Sequence, residues 1–261
     1  TVFYPGTRQI HILKIINGKK QEVKEFYENG KLQQQSQYVD GKQEGDFKTW
    51  YPSGKLSKVT TYAGGLREGK SVAYFENGKK SEESNYEILE KDKKTTSVLH
   101  GKSAKYTANG NTLKITNYKH GLKDGTEEEW FANGNKRSQV NYAADKRFGP
   151  FVYWKENGKY AATGAFDTIH KKYSDRTAIE EVKTGRCKTW NNAGILTADG
   201  NYIKGKPEGK HLNWYDDGIL KSEITYRNGE TYGEQKLWFK NGQLNLVQER
   251  YMDYDSVRKK P

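Results

Sequence analysis

From Phe47 to Gly69 the chain reads FKTWYPSGKLSKVTTYAGGLREG. Two β-prone segments, Phe47-Lys48-Thr49-Trp50-Tyr51 and Leu56-Ser57-Lys58-Val59-Thr60-Thr61-Tyr62, flank a turn at Pro52-Ser53-Gly54-Lys55, and a glycine-rich connection follows. Short runs rich in aromatic and β-branched residues, bounded by Gly, Pro and Ser, signal strands joined by tight turns. The same turn glycine recurs at Gly6, Gly30, Gly54, Gly78, Gly110, Gly134, Gly158, Gly194, Gly218 and Gly242. Seven of the nine intervals are 24 residues, and the other two are 32 and 36. Self-similarity at a fixed period is the mark of a repeat architecture, in which neighbouring units bury one another.

The rest of the unit keeps phase. Four residues before the turn glycine stand Phe26, Trp50, Tyr74, Tyr106, Trp130, Trp154, Trp190, Trp214 and Trp238, a set that holds all six tryptophans of the chain. Eight residues after it stand Tyr38, Tyr62, Tyr86, Tyr118, Tyr142, Phe166, Tyr202 and Tyr226. A second glycine follows at Gly45, Gly69, Gly125, Gly149, Gly209 and Gly233, with Gly101 and Gly185 in the same role after the longer intervals. Asn-Gly ends the turn at Asn29, Asn77, Asn109, Asn133, Asn157 and Asn241, and that dipeptide predicts two-residue type I′ hairpin loops. The expected fold is all-β: an elongated single-layer antiparallel β-meander of about ten 24-residue β-hairpin repeats. It forms one repeat domain over 1–261, with repeats over about 3–251, insertions at 87–100 and 167–184, and a C-terminal tail at 252–261. The end units are expected to be atypical caps, with Val2 in the tryptophan phase.

Composition agrees with a thin repeat. Leu, Ile, Val and Phe supply only 46 of 261 residues, a level that points to disorder in a charged chain, but 34 aromatic residues argue against disorder. Aromatic side chains at fixed phase are expected to stack from hairpin to hairpin. No apolar run is long enough for a transmembrane helix. The only methionine is Met252, so an upstream segment is expected to have been removed, a secretory leader being one explanation.

The residue types that carry chemistry are not arranged for it. Cys187 shares its repeat slot with Phe47, Ser71, Glu127, Phe151, His211 and Gln235, and no activating base lies in register with it. His11, His100, His120, His170 and His211 fall in different slots without metal-ligand spacing, so neither metal nor cofactor is expected. Glu127-Glu128-Glu129 and Glu180-Glu181 read as solvated charges, and the glycines do not form a phosphate loop entering a helix. The chain is therefore expected not to be an enzyme. Lysines such as Lys31, Lys55, Lys79 and Lys159 read as exposed hairpin tips. The aromatics sit in phases that hold the repeats together, which disfavours nucleic acid as a partner.

The pattern Trp-Tyr-x-x-Gly-x-Leu followed by Tyr-x-x-Gly-x-x-x-Gly resembles the MORN-repeat variant of bacterial proteins, the repeat of the YwqK-type antitoxin family. Trp50-Tyr51-Pro52-Ser53-Gly54-Lys55-Leu56 with Tyr62, Gly65 and Gly69 carries the resemblance, as does Trp214-Tyr215-Asp216-Asp217-Gly218-Ile219-Leu220 with Tyr226, Gly229 and Gly233. It departs around Gly110 and Gly158, where Thr107 and Lys155 replace the second aromatic. The resemblance implies a binding role without catalysis. It implies an antitoxin or immunity protein that sterically neutralises a secreted toxin, with a phospholipase effector as one target, in the bacterial periplasm or envelope; the cytoplasm is the alternative.

Individuality lies in the two insertions, because per-unit insertions map to loops on one face, often the binding face. The expected partner-binding residues are Leu89, Lys93, Lys94 and Val98 in the first, and Ile169, His170, Tyr173, Arg176 and Ile179 in the second. A net charge of +12 predicts a protein partner with an acidic surface. The alternative is an envelope-associated structural module that rests peripherally on anionic lipid or cell-surface polymer.

Overall fold

A computed structural model describes residues 2–3 and 10–251. The chain divides into two compact units, Thr1–Gly134 and Asn135–Pro261. Among the described residues all regular structure is β, in 22 strands and without a helix. Within each unit the strands pair antiparallel with their sequence neighbours, as in β5 (Lys42–Trp50), β6 (Leu56–Ala63), β7 (Leu66–Tyr74) and β8 (Lys80–Lys91) of the first. The meander expected from the period is thus the fold. The turn at Gly6, the side chain of Val2 and the tail from Met252 lie outside the described residues.

The turn chemistry differs from the expectation. Between β5 and β6, Gly54 N–H donates to Tyr51 O at 2.8 Å and Tyr51 N–H to Lys55 O at 2.8 Å. Of the turn residues only Gly54 has positive φ, at 86°. This is a three-residue loop, a type I turn closed by a left-handed glycine, rather than type I′. The asparagines stay right-handed because their side chains already close the turn. Asn29 Oδ1 accepts Lys31 N–H at 3.0 Å, and Asn77 Oδ1 accepts Lys79 N–H at 3.0 Å. The true two-residue turns lie in the connections, where both central residues have positive φ: Asp40-Gly41, Gly64-Gly65, His120-Gly121, Lys204-Gly205 and Asn228-Gly229.

The second glycine of the period is a mid-strand kink. Gly45 (φ 72°) lies opposite Tyr62, Gly69 (φ 75°) opposite Tyr86 and Gly209 (φ 72°) opposite Tyr226. An L-residue pays about 1–2 kcal/mol to sit there, which is why the phase is glycine.

Adjacent repeats are stapled at their turns. Tyr27 Oη donates to Trp50 O at 2.6 Å, Tyr51 Oη to Tyr74 O at 2.6 Å and Tyr215 Oη to Trp238 O at 2.9 Å. Phe75, Phe131 and Phe239 stand in the same slot of other repeats and have no hydroxyl to donate, so this tie belongs to the tyrosine-bearing repeats. Lys31 Nζ reaches Ser53 O at 2.6 Å, Lys79 Nζ reaches Asn109 O at 2.7 Å and Lys159 Nζ reaches Ala193 O at 2.7 Å. These lysines are inter-repeat ties and not free tips. Each such bond is worth about 0.5–1.5 kcal/mol.

The most buried row is made of small and polar residues rather than stacked tryptophans. Ser36, Thr60, Ser71, Ser84, Thr116 and Glu127 are buried in the first unit. Their hydroxyls pair across strands, Thr60 with Ser71 at 2.9 Å and Ser84 with Ser103 at 3.1 Å. Glu127 is 7% exposed and is held by Thr116, Lys114 and Lys123, which corrects its reading as a solvated charge: its slot faces this row. In the second unit the row takes larger side chains. Val140, Phe151 and Phe166 form a cluster, and glycines make room for large neighbours. A Cβ on Gly164 would meet Cys187 Sγ at 2.6 Å, and one on Gly200 would meet His211 Nδ1 at 2.1 Å. Beside it, buried Asp199 takes a bidentate bond from Arg186, with both contacts at 2.7 Å. That bond, with help from Lys188 and against the effect of burial, holds the Asp199 carboxyl below its usual range.

Two outcomes follow for stability, read by urea unfolding. Gly200→Ala costs about 1–3 kcal/mol by overpacking and costs nothing further in a His211→Ala background, while Gly69→Ala, with open space around it, costs about 1–2 kcal/mol in either background. Because the Asp199 carboxyl is lowered on folding, its contribution is full above the unfolded value near 4 and is lost as pH falls through the folded one. Asp199→Asn therefore lowers stability at pH 7 by about 1–2 kcal/mol and flattens the acid limb.

Candidate binding surface on the inserted hairpins

Both insertions are extended hairpins and not irregular loops. In the first, β8 runs on past the ordinary turn point and pairs β9 (Lys94–Leu99) from Tyr86↔Leu99 to Lys91↔Lys94, around a two-residue turn at Asp92-Lys93. In the second, β16 (Tyr160–Lys172) pairs β17 (Thr177–Trp190) as far as Lys172↔Thr177. Four and five extra residue pairs at about 3.4 Å each make fingers about 14 and 17 Å long. The ladder explains why the period resumes after each insertion: the added residues pair with one another.

Alternation decides which predicted binding residues can act together. In the first finger Leu89, Lys94 and Val98 share a face with Glu87, and Lys93 occupies the turn. Val98 is committed elsewhere, since its side chain lies 3.1 Å from the Cβ position of Gly121 in the next connection. In the second finger Ile169 pairs with Glu180 and His170 with Ile179, so Ile169 and Ile179 lie on opposite faces. Tyr173 and Arg176 close the tip, where Tyr173 N–H donates to Arg176 O at 2.7 Å. Tyr173 Oη donates a short bond to Glu180, and Lys171 and Arg176 lie 5.5 and 5.8 Å from its ring centre. The Tyr173 bond, opposed by burial and helped by Lys171, holds the Glu180 carboxyl low. Tyr173 and Ile179 remain 39% and 46% exposed.

The base of the second finger is anchored. Glu181 accepts Arg147 N–H at 2.6 Å and Arg147 Nε at 3.0 Å, and the Arg147 guanidinium lies 4.1 Å from the Phe166 ring centre. Burial opposes the ionised form of Glu181, and the Arg147 contacts outweigh it, so this carboxyl also lies low and is no solvated charge. Along the finger a groove of about 660 Å³ is lined by Thr168, Ile169, His170, Ile203, Lys204, Lys206, Glu208 and Asn228. Ile203 is 53% exposed beside two lysines and one carboxylate. Sequence reasoning missed Ile203, Lys204 and Lys206 because they sit in an ordinary connection, one repeat beyond the finger.

The base of the first finger gathers Glu87, His100 and His120. His120 Nδ1 lies 2.8 Å and His100 Nδ1 3.0 Å from Glu87 Oε1. Burial raises the Glu87 carboxyl, but the His120 hydrogen bond and the neighbouring imidazoles bring it below its usual range. The three come from a finger strand, the β9–β10 junction and the following connection, with β10 at Gly101–Tyr106. Local spacing could not reveal that set. A usable signal was that His100 and His120 both precede connection glycines, and connections of successive repeats lie side by side.

Removing the anchor should free the second finger while leaving the repeats folded. Glu181→Ala is expected to speed amide hydrogen exchange at the Ile169↔Glu180 and His170↔Ile179 pairs by about tenfold, with exchange in the Phe151–Phe166 cluster unchanged.

Five segments, residues 22–40, 43–63, 67–87, 123–144 and 207–228, match the MORN repeat variant. The units around Gly110 and Gly158, which depart from the pattern, fall outside those segments. No curated protein matches the chain. Among solved structures it is similar to a porin-like protein from Bacteroides uniformis, at 9% identity over 73% of this chain and 88% of that one, with a TM-score of 0.17. It is also similar to a TcdB2-TccC3-Cdc42 structure, at 11% identity, 96% and 15% coverage and a TM-score of 0.17. The Photorhabdus luminescens Tc holotoxin pore shows 12% identity, 96% and 15% coverage and a TM-score of 0.18. The chain spans 15% of the length of each of the last two. By these matches the chain carries the MORN repeat variant at five of its repeats.

Proposed function

We propose that this chain is a non-catalytic binding protein whose second finger and adjoining groove receive an acidic segment of a protein partner. The observation that carries the reading is the groove itself, with Ile169 and Ile203 on its wall, Lys204 and Lys206 beside them, and exposed Tyr173 at the tip of the finger that borders it. Aromatic and aliphatic anchors set among polar neighbours suit a binding hot spot. The lysines favour a partner of opposite charge and steer its approach. A short ladder pinned by Glu181 and Arg147 holds these anchors in place, which reduces the entropy lost on binding. MORN-type repeats support a binding role in general. The finer proposal, drawn from the resemblance, is an antitoxin or immunity protein acting in the periplasm or envelope. There it would cover the working surface of a secreted toxin by steric occlusion.

The test uses the full chain and the product of a neighbouring effector gene. Binding is expected to weaken about tenfold or more in a Tyr173→Ala, Ile203→Asp double variant, and its association rate to fall steeply between low salt and about 0.3 M salt. Undiminished affinity in the double variant sinks the site. Binding to anionic vesicles in the absence of any protein partner would instead favour the envelope-surface module.

A further inference from the structure

We propose that Glu87, His100 and His120 form a binding site for a divalent transition metal ion of the zinc class. The site lies at the base of the first finger and is independent of the groove on the second. Two imidazole nitrogens and one carboxylate oxygen converge there, all within 4.8 Å of one another. A tetrahedral zinc ion at about 2.0–2.1 Å from each ligand needs donor atoms about 3.3 Å apart. The observed separations of 2.8 and 3.0 Å to the shared Glu87 oxygen lie within a few tenths of an ångström of that spacing. Both Nδ1 atoms approach the same Glu87 oxygen, and the two rings, 5.8 Å apart at 44°, are tilted and not stacked face to face.

A second observation points to a ligand. The Nδ1 atom of His100 is buried and makes no hydrogen bond, although the Glu87 carboxylate is 3.0 Å away. Both imidazoles approach the same oxygen, Glu87 Oε1, and the shorter contact is that of His120. A buried polar atom without a partner costs about 1–3 kcal/mol. A cation placed among the three groups would take the lone pair of each imidazole and the carboxylate charge, and would leave no such atom.

The donor set selects the metal class. Imidazole nitrogens suit zinc, copper and nickel, whereas magnesium and calcium take oxygen ligands. Three protein ligands leave a fourth position open to water or to a donor from a partner. The ion would join β8, the β9–β10 junction and the turn at His120-Gly121, where Gly121 N–H already donates to Leu99 O at 2.8 Å. It would therefore lock the first finger to the next repeat.

The test titrates Zn²⁺ into the untagged full chain by calorimetry. One equivalent is expected to bind. His100→Ala, His120→Ala and Glu87→Gln should each weaken binding by at least about tenfold, and His170→Ala, on the other finger, should leave it unchanged. His120 is exposed, so its variant keeps the fold, and a metal-free melt of each variant checks this. Co²⁺ in the same site should give a visible d–d band that His120→Ala abolishes. Absence of stoichiometric Zn²⁺ binding overturns the site, as does binding retained in a folded His100→Ala, His120→Ala double variant.

Discussion

Each unit of this protein requires backbone at positive φ in fixed places, and the rest of the structure depends on that requirement. Gly54 ends the wide turn, Gly65 completes the connection and Gly69 kinks the strand that follows. Those positions set where strands reverse and how far each strand runs before bending. They bring a tyrosine of one strand over the glycine of its neighbour and aim turn tyrosines and lysines at the carbonyls of the next unit. The 24-residue period is thus first a backbone period. Side chains exploit the register that the glycines impose.

Once that register exists, a thick apolar core is not needed. The first unit fills its buried row with serine and threonine hydroxyls that satisfy one another across strands, and seats Glu127 among lysines. The second fills the same row with Phe151, Cys187 and His211, offset by Gly164 and Gly200. Cross-strand pairs of either kind contribute a few tenths to about 1 kcal/mol each. Many such terms, repeated, replace the large aliphatic core that the composition lacks. The same logic admits insertions: a paired extension satisfies its own backbone, so a finger can grow from a connection without disturbing its neighbours.

Much of the fold was legible, because turn glycines and aromatics at constant phase leave little freedom in how strands can pair. The turn type was not. Asn-Gly serves type I′ loops and glycine-closed type I loops alike, and here the asparagine oxygen closes its own turn while its amide reaches a carbonyl one repeat away, as Asn29 does with Lys31 and Pro52. Aromatic side chains were expected to stack from hairpin to hairpin, and Trp154, Tyr160 and Trp190 do so, yet the deepest positions are held by small residues such as Ser36, Thr60, Ala104 and Thr116. The insertions were visible as breaks in the period, and their paired form was not.

Sequence alone determined the class of the fold, the unit, its boundaries and the two places where it is interrupted, since these depend on local backbone preference repeated at one interval. Only the tertiary structure decided which residues meet across units. It placed Glu181 on Arg147, set Ile203 and Lys206 beside the second finger, separated Ile169 from Ile179 and assembled Glu87, His100 and His120. Such contacts join residues about one repeat apart, through strand parity and the side-by-side placement of connections. A one-residue change in either would move every partner to the opposite face.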